Sequence, residues 1–341
     1  MDELLQCGMF RRQKRRFLAA PGLALGLAFC AAGCGAHSRV RIAVIPQTEG
    51  TIAWEAAHAG AEIAASRTGA FIYWNAPTRE DDVEAQIALV DRVVDSGYQG
   101  IVLAPDQALA LISPVRRALA HGVPTVIIGS PLPIPAGGNL SYILNDDREA
   151  GQMAAMRVGG LLRGHGTVTI LGMDPDVTGT LIRARAFERY MAQNYSGIQI
   201  ADRRMGSYNV PHEQQVAEDT LRAHPNLDAI VDLMSPSVDG TLSALNSSPA
   251  RHGIKVIGFD LSGLPSFAGN PNLDCVIQAD TRSMGRQAIE LIHARRLGQP
   301  APYVIDLSPK LITRANVDSD EVRGMFSQDW TPGKRQWSPS Q

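Results

Sequence analysis

Asp146 and Asp147, adjacent in NDDREAG, are the residues that could divide acid and base work between two carboxylates. A turn and helix cap accounts for the same pair, because an aspartate ahead of a helical pattern accepts from its free N–H groups. The other reactive-looking stretches are incomplete. His212-Glu213-Gln214-Gln215 lacks the second histidine of a zinc-protease helix. No Gly-x-Ser-x-Gly elbow is present. Asp174 and Asp176, in GMDPDVTG, fall short of a calcium loop in length and in ligands. GGLLRGHG has glycines but no Lys-Ser/Thr pair to hold a phosphate. The eight histidines are scattered without ligand spacing. With no nucleophile beside a base, the chain reads as a binder and not an enzyme. No cofactor and no metal are expected.

The N-terminus bears on where such a binder works. Arg11, Arg12, Lys14, Arg15 and Arg16 precede an apolar run from Phe17 to Phe29, and small residues lead to Cys34. That order is a secretory signal. Ending in Ala-Ala-Gly-Cys, it resembles a bacterial lipoprotein signal, with residues 1–33 removed and Cys34 acylated. Ala31 stands where such signals usually carry Leu, and the alternatives are an ordinary signal cut near Ala36 or an uncleaved anchor. The apolar run is short of the ~20 residues that span a bilayer. Removing residues 1–33 leaves about 300 residues, enough for two domains of ordinary size. The remainder has 27 basic and 32 acidic side chains, a net charge of −5. An acidic product without a concentrated basic face is a poor binder of nucleic acid. Cys7 and Cys30 lie in the signal, so Cys275 alone remains beside Cys34, and no disulfide framework is expected.

From Arg39 onward, short apolar runs alternate with helical patterns. Strands are expected at Val40–Pro46, Ala70–Trp74, Gly100–Ala104 and Pro124–Gly129, with helices at Ala53–Arg67, Asp81–Ser96 and Ile112–His121 between them. The pattern restarts with a helix near Glu149–Leu162. Strands follow at Thr167–Gly172, Ile198–Asp202, Ala229–Leu233, Lys255–Phe259, Leu273–Ala279 and Tyr303–Leu307. Buried β-branched strands without polar alternation, separated by helices, define α/β architecture with parallel sheets covered on both faces. Two such arrays make two doubly wound lobes. A ligand cleft is then expected at the carboxyl ends of their strands. The tail from Asn316 to Gln341, mixed in charge, Pro and Ser, reads as mostly disordered, although Trp330 and Trp337 could dock on something.

IAVIPQTEGTIAWEAAHAGAEIAA, DDVEAQIALVDRVVDSGYQGIVLAP, NDDREAGQMAA, AHPNLDAIV, KVIGFD and PKLITRANV together resemble the ribose-type periplasmic binding proteins of sugar ABC transporters. The likeness runs from about Val40 to Val317. It implies two parallel-sheet lobes joined by a three-crossover hinge. The N-terminal lobe is then 40–145 plus 280–307, the C-terminal lobe 146–279 plus 308–317, and 318–341 the tail. The same fold forms the core of lactose-repressor-type regulators, but those begin with a helix-turn-helix where this chain has its signal.

The resemblance also implies a ligand set. Gln47, Thr51 and Trp54 follow the first strand, and Ser130 follows the fourth. Arg183 in LIRARAF matches a ligand-binding arginine, Tyr208 in GSYN an aromatic of the second lobe, and Asp260 in VIGFD a carboxylate that accepts sugar hydroxyls. Gln278 flanks the place of a usual glutamine, which is Ala279 here. Two further polar places are lost to Gly129 and to Met234-Ser235. The implied function is capture of a sugar-like small molecule by hinge closure and delivery to an ABC permease. The protein would be a monomer, tethered to the membrane through Cys34 and working in the periplasm or on the outer face of the cell membrane. A sensor feeding a chemoreceptor or histidine kinase is the alternative. A carbohydrate-active enzyme is disfavoured by the incomplete motifs above.

Overall fold

The computed structural model describes residues 39–79, 81–247 and 253–330. The signal, Cys34 and the tail from residue 331, Trp337 included, lie outside the described residues.

The first sheet contains β1 (Arg41–Ile45), β2 (Phe71–Trp74), β3 (Gly100–Leu103), β4 (Thr125–Gly129), β5 (Leu140–Asn145) and the late strand β11 (Val304–Leu307). Their order is β11-β5-β4-β3-β1-β2, and every pairing is parallel. The second sheet contains β6 (Gly166–Met173), β7 (Ile198–Met205), β8 (Ala229–Asp232), β9 (Lys255–Phe259), β10 (Leu273–Gln278) and β12 (Lys310–Thr313). It runs β12-β10-β9-β8-β6-β7, with only β12 antiparallel to its neighbour. Apolar clusters lie on each face of both sheets, as doubly wound layers require.

The chain passes between the sheets after β5, after β10 and between β11 and β12. Two of these passages end on matching caps. Asp146 Oδ1 accepts from Glu149 N at 2.8 Å and starts α4 (Asp147–Leu161). Asp280 Oδ1 accepts from Ser283 N at 2.9 Å and starts α8 (Thr281–Arg296). Each cap contributes about 1 kcal/mol and fixes where the crossing chain turns into a helix.

α1 (Ile52–Thr68) is capped by Thr51 and ends on Gly69 at φ 72°. Its inner face is almost all alanine because α8 lies close against it. A Cβ on Gly60 would stand 2.0 Å from the Arg282 carbonyl oxygen, and one on Gly285 2.0 Å from that of Ala57. The two glycines interlock the helices backbone to backbone. The helix after the hinge and the helix carrying Trp54 therefore move together.

Two elements depart from the sequence expectation. β5 has no clear signal, since Ser141 and Asn145 interrupt its apolar run; Leu140, Tyr142 and Ile143 are nevertheless buried. The tail, expected to be disordered, forms α9 (Asp320–Met325). Val322 is fully buried in the second lobe's core, with Phe326 packed beside it. Ser319 caps this helix through Val322 N. The chain then returns to the first lobe. The carbonyls of Ser327 and Asp329 accept from Arg282 on α8. Trp330 stacks on His58 of α1 at 5.9 Å, and Trp74 lies on the same ring at 4.3 Å. A six-residue helix too short for a periodic pattern and a few long-range contacts hold this segment, which composition alone does not reveal. No helix among the described residues is long and apolar enough to cross a membrane.

Candidate functional site

The carboxyl ends of both sheets open on one cavity of about 290 Å³ between the lobes, at the lower edge of the ~300–1,000 Å³ usual for small-molecule pockets. All eight expected residues line it: Gln47, Thr51, Trp54, Ser130, Arg183, Tyr208, Asp260 and Gln278. So do Gly129, Met234, Ser235 and Ala279.

Arg183 stands at its centre, projected from α5 (Thr178–Asn194). Nε donates to Asp147 Oδ1 at 2.7 Å and Nη1 to the Leu233 carbonyl at 3.0 Å. Nη2 pairs with Asp260 Oδ2 at 2.6 Å. The guanidinium carbon lies 4.9 Å from the centre of the Phe259 ring. Each nitrogen is engaged, so two of the five N–H bonds are left for a ligand. Burial opposes the positive charge, but the carboxylates of Asp147 and Asp260 outweigh it and raise the Arg183 pKa. Burial likewise pushes Asp147 up, against the pull of Arg183. Asp147 was read with Asp146 as a cap. Only Asp146 caps; Asp147 turns inward as the buried partner of Arg183. A Cβ on Gly179 would meet Asp147 Oδ2 at 2.5 Å, so glycine there lets the carboxylate lie against the start of α5.

Asp260 is held in the left-handed region at φ 48°, a conformation a non-glycine residue keeps only when its surroundings enforce it. Its N–H donates to the Ile277 carbonyl at 3.2 Å, and Oδ1 accepts from Ala279 N at 2.9 Å. The carboxylate is thus fastened to the end of β10, where the chain leaves the second lobe.

The wall from the first lobe is mixed. Gln47 Nε2 donates to the Pro105 carbonyl at 3.0 Å, which fixes the amide and leaves its oxygen as an acceptor. Thr51 Oγ1 caps α1 through Trp54 N at 3.3 Å. The Trp54 indole lies 3.9 Å from where a Gly129 Cβ would stand, so glycine leaves a slot beside the ring.

Asn145 is a cavity residue that the sequence reading missed. It opens the NDDREAG motif, and that position was the available signal. Asn145 Oδ1 and Gln278 Oε1 are buried and have no hydrogen-bond partner among the described residues. They end β5 and β10, two of the three strands from which the chain crosses between the lobes. A buried amide oxygen left unpaired costs about 1–3 kcal/mol, so both are poised to accept from a ligand that donates.

Behind the cavity, α6 (Val210–Ala223) and α7 (Ser235–Asn246) enclose two more carboxyls. Glu213 Oε1 accepts from Ser207 N at 2.7 Å and from Ser207 Oγ at 3.1 Å, fastening the loop that carries Tyr208. Asp232 Oδ1 accepts from Thr241 Oγ1 at 2.9 Å, while its Oδ2 has no partner among the described residues. Burial pushes Asp232 well above the usual carboxylate range, with Glu213 adding repulsion. The native state therefore holds this proton after the unfolded chain has lost it, and stability declines as pH rises through about 4 and above. Asp232→Asn is expected to raise stability at pH 7 and to change little below about pH 4, where the carboxyl is neutral in both states. Urea melts of the two proteins at each pH test this. An equal effect at both pH values would tie it to packing instead of charge.

Two doubly wound lobes, multiple crossings between them and a polar cavity at the strand ends define a hinged ligand-binding protein. Residues 42–264 match the family model described as a periplasmic binding protein domain. The chain belongs to this family of periplasmic binding proteins. It is 24% identical over 250 residues to the D-apiose import binding protein of Paraburkholderia graminis, covering 70% of this chain and 76% of that one. It is 24% identical over 286 residues to the D-allose-binding periplasmic protein of Escherichia coli, covering 81% and 90%. A carbohydrate transporter solute-binding protein from Agrobacterium radiobacter, solved with D-arabinose, shares the fold at a TM-score of 0.77 and 21% identity, covering 85% of this chain and all of that one. The family is one of binding proteins and not of enzymes, in keeping with the incomplete catalytic motifs.

Proposed function

We propose that this protein captures a neutral, monosaccharide-sized sugar or polyol outside the cytoplasm and delivers it to an ABC permease. The observation that carries this is the pair of unpartnered amide oxygens, Asn145 Oδ1 and Gln278 Oε1, in one cavity with Arg183, Asp147 and Asp260. Hydroxyls satisfy such acceptors, and Trp54 and Tyr208 offer faces for the ring. An anionic sugar is disfavoured, because two carboxylates already neutralise the buried arginine. Gly129, Met234 and Ala279 add apolar surface, which suits a ligand with a deoxygenated edge. Ligand bridging the two lobes stabilises the closed form, and the permease reads that form. The relatives named for D-apiose import and D-allose binding support the reading.

A thermal-shift screen across neutral sugars, deoxy sugars, polyols and uronic acids tests it. A true ligand at a hundredfold excess over Kd stabilises by ~2.7 kcal/mol. A shift with uronic acids alone would overturn the reading.

The protein is further proposed to act as a monomer tethered through lipid on Cys34. Cys34→Ser removes the thiol that would carry the lipid and is expected to move the protein from the membrane to the soluble fraction. The two or three acyl chains of a mature lipoprotein are what hold it, where one chain would anchor weakly. A wild-type protein found wholly soluble after signal cleavage would sink the tether.

A further inference from the structure

The outer face of the second lobe carries a feature unrelated to the sugar cleft. α4 and α5 enclose a groove of about 230 Å³ whose charged residues are all arginines: Arg148 from α4, and Arg185 and Arg189 from α5. None of their three side chains makes an ion pair or hydrogen bond among the described residues, whereas Arg117 pairs with Asp91, Arg157 with Asp274 and Arg203 with Glu188. Glu188, the acid beside Arg189 in sequence, is thus turned away to Arg203. Arg185 and Arg189 are one turn apart, a spacing at which like charges repel on a helix.

The same two helices present opposite faces to cleft and groove. Asp147 faces inward and Arg148 outward; Arg183 faces inward and Arg185, about 200° further round the helix, outward. The groove's floor follows a single helix stripe, Ile182, Arg185, Arg189, Tyr190 and Gln193. At 1.5 Å per residue that stripe is about 16 Å long. A single phosphate or carboxylate group would occupy only part of that length, while a helix of three turns matches it and would lie along the groove with one face against the arginines.

We propose that this groove docks an acidic helix of a partner protein, with carboxylates one turn apart meeting Arg185 and Arg189 and a third meeting Arg148. Tyr190 and Ile182 supply apolar contact between the charges. Because α4 and α5 both belong to the second lobe, the groove keeps its shape as the hinge moves. The acidic helix binds the open and the closed protein alike.

The test uses a fluorescein-labelled, Ala-based helical peptide of about five turns with Glu at every fourth position, and the same peptide with Gln. Anisotropy should report salt-sensitive binding of the Glu peptide to the wild-type protein and none of the Gln peptide. The triple variant R148E/R185E/R189E should lose about tenfold or more in affinity. Saturating the cleft with a sugar from the screen should leave peptide binding unchanged. The double variant R185Q/R189Q, expected to show a smaller loss, serves if circular dichroism finds the triple variant unfolded. Equal binding of the Gln peptide, or no loss in the folded variants, would overturn the proposal. Binding of inorganic phosphate without the peptide would mark a small-anion site instead. Binding to phosphatidylglycerol vesicles without the peptide would mark a membrane contact. Either result also overturns it.

Discussion

Arg183→Ala is expected to abolish ligand binding and to destabilise the fold by about 3–5 kcal/mol, the usual cost of removing one partner from a buried charge pair. The substitution leaves Asp147 facing Asp260 without the cation that both contact. Asp147 is already pushed toward its neutral form by burial, and losing the guanidinium pushes it further. The Leu233 carbonyl loses its donor as well. A reading of Arg183 as a plain ligand contact would instead predict an intact lobe. Denaturant unfolding and calorimetry with a ligand from the screen distinguish the two. Normal stability with binding lost would mean the triad serves only the ligand. Arg183→Lys should recover little, because one ammonium cannot match a planar fork held by three acceptors.

Deleting residues 319–341 is expected to lower the melting temperature on the order of 10 °C. Val322 is fully buried and Met325 nearly so. Burying each side chain contributes roughly 1.5–3 kcal/mol. For a domain of this size each kcal/mol corresponds to about 2–4 °C. Trp330→Ala should have a much smaller effect, since that ring is 46% exposed. A truncated protein that melts with the wild type would mean α9 contributes nothing to the core. That was the outcome expected from composition.

What was legible in the sequence had local physical causes. The apolar strands and amphipathic helices announce themselves because their period is set by neighbours along the chain. β5 and α9 do not, because their burial comes from elements far away in sequence. Tyr142 pairs across to Val304 and Ile127, and Val322 enters a cluster with Val256 and Ile312. In the site, the resemblance named residues that all line one cavity, but it could not say what they do to one another. Arg183 and Asp260 were expected to bind a ligand side by side; they bind each other, with Asp147 as the third member. Asp147 was misread because a cap and a buried ion pair look identical in a dipeptide. Only the three-dimensional path of α5 separates Asp146 from its neighbour.

The crossings also dictate when the molecule can fold. The first sheet lacks its edge strand β11 until residue 307 exists, and the helix α8 packed beneath it spans residues 281–296. The second lacks β12 and α9 until residue 325. One face of the first sheet is covered by residues 43–142 alone, but the other needs Met284, Ala288, Ile289 and Ile292 of α8, which the chain reaches only after passing through the second lobe. The return of α8 and β11 closes a loop that contains most of the second lobe, and that closure comes before its contacts stabilise anything. On a nascent chain, the face of the first sheet that α8 covers stays bare while most of the second lobe is made, the kind of exposed apolar surface that invites aggregation.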